Sequence, residues 1–357
     1  MTIEHQAPRL LRRGLEIFAA ISVAGFLGLL LYGNNLERFL AAMLSLRVRW
    51  LLVGVGLASL DWFGGGLRLY ILCRHVYPAQ SLKGAILAGG LNTWASYLTP
   101  SQTGGGPMMV YTLNRYGTPL PRAVVAGLMS FVATVIFFAV AGPVAIFFGA
   151  GRSLERHSVI SGAIDLYDLF QLSLGGFVGI GLFIILMMSF PGIARALARS
   201  TKAALERRHR TRWAERVSRV EAGIDQAHDA IVAFASPRGW AAMGAAVLLS
   251  AAAHANKLLA GYVVLQALGI EAPFLEVLML QTLIAFLLYF APTPGGAGLA
   301  EIVSAAVMSI YVPRELTPSY ILLWRIVVSY LTVGFGSTVF WYWLKGAEGR
   351  HASAESD

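Results

Sequence analysis

The chain has one cysteine, Cys73, in 357 residues. That excludes an internal disulfide and any cysteine-rich metal site. Charge is scarce as well. Asp, Glu, Lys and Arg make up 13% of residues, where a soluble domain carries about 25%. The motifs of soluble catalysis are missing: there is no H-E-x-x-H, no G-x-S-x-G and no G-x-x-x-x-G-K-[ST]. The short "GGGP" stretch lacks the lysine of a phosphate-binding loop. An acidic pair, Asp165 and Asp168, stands at a span entrance, where acids ordinarily face water. No metal site and no cofactor is read from the sequence.

What the chain does have is apolar residues, 57% of the total. Several runs exceed the roughly 18 residues that a membrane-crossing helix needs. The net charge of +9 does not point to nucleic acid. Its basic residues lie mostly between spans or at their ends, where they set topology. The N-terminal "RLLRRGLEIFAAISVAGFLGLLLYG" has no small-x-small cleavage site after its apolar run, so it reads as a retained anchor.

Uninterrupted spans are predicted at about 15–33, 51–73, 120–149, 163–190, 239–267 and 319–344. Two further apolar regions, 82–117 and 273–311, are each broken by a motif that occurs twice. "YLTPSQTGGGPMM" at 97–109 returns as "YFAPTPGGAGLAE" at 289–301. Tyr97, Pro100, Ser101, Gly104 and Gly106 recur as Tyr289, Pro292, Thr293, Gly296 and Gly298, each 192 residues on. The arms after the breaks rise only about 15–18 Å as helix, against a hydrocarbon core of about 30 Å. Each broken region therefore reads as a re-entrant hairpin. The expected fold is all-α: a polytopic membrane protein of about six full spans plus two re-entrant helical hairpins. Residues 1–345 form one transmembrane domain on this reading.

The repeat extends beyond the motif. Spans flank both hairpins in the same register, giving units at about 51–149 and 240–343. An odd number of crossings between them predicts an inverted repeat, the recurrent architecture of transporters. Residues 192–238 hold ten of the 28 Lys and Arg residues. This places that segment and both termini in the cytoplasm. Arg38, Arg47 and Arg49 then fall outside, against the trend. In 192–238 the residues Trp213, Val217, Val220, Ile224, Ala227, Ile231 and Phe234 form one apolar stripe beside an arginine cluster. Two readings fit it: a helix on the anionic inner leaflet, or a linker helix packed on the protein itself. Residues 346–357 are polar and expected to be disordered.

The motif residues suit a headgroup site. Proline ends a helix. The glycines, among them Gly105 and Gly295, admit unusual backbone angles and close approach. The helix that resumes after each break offers unpaired N–H groups to a phosphate or carboxylate. Glu301 either caps its own helix or binds a cation or proton. Ionisable residues inside spans are costly and mark sites. Asp61 and Arg68 share a helical face, as partners or with Arg68 reaching for the inner interface. His254 and Lys257 are neighbours on another face. His254 lies one position from the repeat counterpart of Asp61. That predicts a titratable pair across the repeat axis, with two separate polar patches as the other reading. Arg325 pairs with Glu301, binds a lipid phosphate, or reaches the interface. Asn92 and Gln281 hold helices together.

These residues carry a resemblance. "LTPSQTGGGPMMVYTLNRYG", "TPGGAGLAE" and "LLWRIVVSYL" resemble the lysylphosphatidylglycerol synthase membrane-domain family of flippase-like proteins, over almost the whole chain. The T-P-G-G-x-G-x-x-E element is complete through Glu301. Many relatives carry Glu and then Arg around the first motif's glycines. Here Gly105 and Gly106 stand there, followed by Pro107 and Met108, as in a different branch. Bifunctional relatives append a soluble aminoacyl-transferase domain. With the sequence ending at Asp357, the resemblance implies no lysyl transfer. It implies movement of an anionic lipid or lipid-linked headgroup between leaflets of a bacterial inner membrane. Two other readings stay open. One is an embedded transferase using Asp61, His254 and Glu301. The other is a non-catalytic partner of an envelope-biosynthesis enzyme.

Overall fold

The computed structural model describes residues 7–32, 36–145, 190–207, 228–289 and 291–354, together with isolated positions between 147 and 218. Among them all regular structure is helical. Helix α1 is Ala7–Tyr32, α2 Leu36–Leu44, α3 Val48–Val76, α4 Leu82–Tyr97, α5 Gly105–Arg115 and α6 Leu120–Ala145. Then come α7 Pro191–Arg207, α8 Pro237–Ala253, α9 Ala255–Ala267, α10 Phe274–Tyr289, α11 Leu299–Met308, α12 Thr317–Arg325 and α13 Leu331–Ala354. Among the described residues, four helical stretches are long and apolar enough to cross a membrane: Val48–Val76, Leu120–Val144, Pro237–Ala267 and Arg314–Trp343. The protein is a polytopic membrane protein. The predicted span at 163–190 and the acids Asp165 and Asp168 lie outside the described residues, apart from isolated positions of that span.

The order span, hairpin, span occurs twice. Helices α4 and α5 pack against each other between α3 and α6, and α10 and α11 do so between α9 and α12. Helix α5 has 11 residues and α11 has 10. Neither can cross, since each rises about 15–16 Å. Serine caps start two of the elements: Ser81 Oγ accepts from the Gly84 amide and Ser236 Oγ from the Gly239 amide, each at 3.1 Å. The leading spans of the two units, α3 and α8–α9, lie along each other. One apolar core fills the second unit around Phe286, Tyr320 and Trp324, and another surrounds α4 at Trp62, Leu91 and Trp94.

Helices α3 and α4 are in close contact. A Cβ added to Gly90 would lie 1.8 Å from the Trp62 ring, and one on Gly89 would lie 2.5 Å from the Gly66 nitrogen. Overpacking of this kind costs about 1–3 kcal/mol. Gly90→Ala should therefore lower the thermal unfolding midpoint in detergent. Gly56→Ala, on the same α3 with open space around its Cβ, should leave it unchanged or raise it through helix propensity.

Several helices differ from the spans expected from the sequence. The span 239–267 is not uninterrupted, because the backbone leaves helical angles at His254 (φ −114°, ψ 4°). The His254 ring bonds the Ser250 carbonyl at 2.8 Å, the same carbonyl that its own amide uses at 3.0 Å. Side-chain bonds to the carbonyl four residues back bend helices. The span 319–344 contains a π-helical turn at Ile326–Tyr330, directly after Arg325. Helix α13 runs on to Ala354, through helix formers such as Ala, Lys, Glu and Arg, and 355–357 lie outside the described residues. Finally, α2 was not foreseen, and it carries one of the awkward arginines: Arg38 meets Glu315 at 3.1 Å.

In the basic segment, α7 covers 191–207. Trp213, Val220, Ile224 and Ala227 lie outside the described residues. Ile231 and Phe234 pack on Leu72, Val76, Val125 and Met129. This end of the stripe is held by the protein's own core, as the linker reading expects.

Candidate functional site

The two breaks touch. The Ser101 amide donates to the Ala291 carbonyl at 3.0 Å, and Gln102 Nε2 reaches the Tyr289 carbonyl at 3.5 Å. Both turns contain two consecutive left-handed residues. In the first they are Ser101 (φ 48°) and Gln102 (φ 57°); in the second they are Gly295 (φ 58°) and Gly296 (φ 67°). Sequence register would put the second pair at Thr293 and Pro294. Proline locks φ near −65°, so the left-handed turn moves two residues on, to the glycines. Ser101 and Gln102 have no such freedom. They hold a conformation that non-glycine residues rarely adopt, and the contact with Ala291 and Tyr289 supports it.

Beside the breaks lies a cavity of about 370 Å³, bordered among others by Asp61, Arg68, Asn92, Gln102, Lys257 and Tyr289. A smaller one of about 50 Å³ adjoins Tyr97, Thr293, Gly295, Gly296 and Arg325. Lys257 and Tyr289 border both. Two ion pairs flank these spaces. In the first, Lys257 Nζ stands 3.3 Å from Asp61 Oδ1, while Asn256 Nδ2 donates to Asp61 Oδ2 at 3.1 Å. Lys257 also faces the Tyr97 ring, 5.6 Å from its centroid. In the second, Arg325 Nε stands 3.0 Å from Glu301 Oε1, with both side chains 2% exposed. The two atoms lack the alignment of a hydrogen bond. Arg325 spends Nη1 on the Gly295 carbonyl at 3.0 Å and Nη2 on Ser22 at 3.3 Å. Phe18 and Tyr330 stand beside its guanidinium.

The predicted residues divide accordingly. Glu301 fills two of its predicted roles: Oε2 accepts from the Gly298 amide at 2.8 Å, capping α11, and Oε1 faces Arg325. Arg325 is no interfacial residue. Tyr97 donates to the Val328 carbonyl at 2.6 Å. Thr293 donates to the Ala297 carbonyl at 2.8 Å. Gly104 and Gly105 serve packing: a Cβ would meet Thr99 at 2.6 Å and Ser96 at 2.1 Å respectively. Gly106 borders the larger cavity with open space around it. Pro100 and Pro292 shape the turns and line neither cavity.

Two expected pairings are replaced. Asp61 does not bond Arg68 and does not face His254; its partners are Lys257 and Asn256. The His254 ring is turned onto Ser250 and packed between Phe137 and Phe138. Arg68, 8% exposed, reaches neither Asp61 nor the interface. It donates to Thr134 at 2.8 Å and Ser250 at 3.0 Å. Sequence reasoning missed Asn256, Thr134, Ser250 and Ser22. Asn256 carried a signal, as a polar residue in an apolar run. The hydroxyls carried none, because Ser and Thr in such helices commonly bond their own backbone. Thr134 and Ser250 do that too, donating to the Ser130 and Ala246 carbonyls. Their lone pairs are what remain for Arg68. Gln281 holds helices together as expected, through Tyr320 and Trp324.

The two broken hairpins of this membrane protein meet beside a cavity lined by charged, polar and apolar side chains. The family described as the lysylphosphatidylglycerol synthase TM region matches residues 17–336, and the chain belongs to it. Its function is accordingly tied to membrane lipid. No curated protein and no solved structure matches the chain.

Proposed function

We propose that the protein moves a phospholipid or lipid-linked headgroup between the leaflets of a bacterial inner membrane. The observation that carries this reading is the cavity of about 370 Å³ beside the touching breaks, with Asp61, Arg68 and Lys257 on its wall. Charged groups at membrane depth are expensive and mark substrate paths. Irregular backbone is tolerated there only where protein or water satisfies it. Hairpins that touch at their breaks support an inverted repeat, in which the two units rock about the centre. The excess of basic residues in 192–238 supports cytoplasmic termini.

Reconstitution in liposomes with fluorescent headgroup-labelled lipids, scored by quencher accessibility, tests the reading. Wild-type protein should move label between leaflets with the lipid chemically unchanged. The double variant Asp61→Asn/Lys257→Met removes the first ion pair without stranding either charge, and it should move label markedly more slowly. Absence of transfer beside a chemically altered lipid would replace the translocase with an embedded enzyme.

A further inference from the structure

Two of the three cations around the breaks have a carboxylate. Lys257 has Asp61 and Arg325 has Glu301. Arg68 has none. Its Nη1 goes to the Thr134 and Ser250 hydroxyls, which are neutral. Its Nε is buried without a partner, and among the described residues no hydrogen bond leaves Nη2. Asp61, two helical turns away on α3, is already held by Lys257 and Asn256. A guanidinium cannot escape burial by losing its proton, and a buried charge without a counter-ion is costly. Nη2 is left over, and a guanidinium N–H of this kind takes an oxygen of a phosphate or carboxylate in a charge-assisted hydrogen bond. Arg68 stands on the wall of the larger cavity.

We propose that Arg68 is the anion-binding residue of this cavity and that its ligand is the phosphodiester of an anionic lipid headgroup. The proposal rests on the translocation reading and narrows it. Lys257 and Arg325, both positive, are neutralised by their own partners, so the excess charge sits at Arg68 alone. A volume of about 370 Å³ equals roughly a dozen waters at about 30 Å³ each, which is room for a phosphate and its alcohol. Asn92, Thr93, Ser96 and Gln102 border the same space and offer polar groups to the remaining oxygens. The wall formed by Val110 on α5 and by Val124, Leu128 and Phe131 on α6 is apolar. Val124 is 38% exposed, so acyl chains have an apolar side to leave by. A free phosphate would have no use for that side.

The test uses the full chain in uncharged detergent. Dihexanoylphosphatidylglycerol, dihexanoylphosphatidylcholine and inorganic phosphate are titrated separately, and binding is read from thermal unfolding. The anionic lipid should stabilise the wild type and the zwitterionic lipid should not. Arg68→Met should weaken anion binding by roughly 10- to 100-fold, the worth of one charge-assisted hydrogen bond. Without ligand, that variant should be at least as stable as the wild type, because it removes an uncompensated buried charge. Stabilisation by inorganic phosphate alone would keep the anion-binding role and overturn the lipid source. Equal anion binding in Arg68→Met, or equal binding of the two lipids by the wild type, would overturn the proposal. Should Arg68→Met not fold, Arg68→Gln is read against the same outcomes. Liposome transfer is measured separately. Transfer indifferent to headgroup charge and to Arg68→Met would sink the anion site and leave translocation. Anion binding through Arg68 with no transfer by the wild type would do the reverse.

Discussion

Glu301→Gln should destabilise the protein by about 3–5 kcal/mol, the cost of breaking a buried ion pair by removing one partner. The side chains of Glu301 and Arg325 are each 2% exposed. Glutamine can still accept from the Gly298 amide, so the cap on α11 survives. What the variant loses is the negative charge. Arg325 would then keep only the Gly295 carbonyl and the Ser22 hydroxyl. A neutral environment of that kind stabilises a buried guanidinium poorly. Arg325→Met should cost a comparable amount, because it strands the carboxylate instead. The double variant Glu301→Gln/Arg325→Met should recover most of the loss, since replacing both charges of a buried pair is often close to neutral. Thermal unfolding of the four proteins in detergent gives the comparison. Additive losses in the double variant would mean that the two residues act separately. This outcome also bears on transfer measurements: a loss of transfer in Glu301→Gln has to be read against its folded fraction.

Fixing the two breaks to each other should stop translocation. Ser101 and Ala291 are joined by a 3.0 Å N–H···O bond, which keeps their Cα atoms within the roughly 7 Å that a disulfide spans. In a Cys73→Ala background, the pair Ser101→Cys/Ala291→Cys should cross-link under mild oxidant. Transfer should fall to the rate of protein-free liposomes, and reductant should restore it. Each single cysteine variant should be indifferent to oxidant. The expectation follows from rocking: two units cannot change their tilt about a contact that is covalently closed. Full transfer by the cross-linked protein would mean that the breaks stay together. The headgroup would then have to slide past a static centre with its tails in lipid.

Much of this was open to reading in the residues. Runs of apolar residues and the scarcity of charge fixed the membrane class. The arms at 108–117 and 300–311 are too short to cross, whatever they pack against, so hairpins were expected from length alone. Glu301 three residues after Gly298 announced a capped helix start. Pro294 carried the reason that the second turn shifts by two residues, although the motif's regular spacing concealed it.

The pairings of the site were decided elsewhere. Helical periodicity, about 100° per residue, says which residues share a face. It does not say which face of a helix 190 residues away will oppose it, or at what depth. Asp61 and Arg68 share a face of α3 and yet go to different partners. One meets Lys257 and Asn256; the other meets Thr134 and Ser250. The break at His254 turns the imidazole away onto Phe137 and Phe138 and leaves Lys257 to face Asp61. The sequence by itself determined that this is an all-helical membrane protein, broken twice, with charges it must bury. Which charges cancel, and that Arg68 is left over, only the packing of α3 against α6 and α8–α9 decided. The reason is physical: a charge-charge contact depends on rotations and offsets of a few ångströms between helices, and those are set by side-chain packing far from the charges themselves.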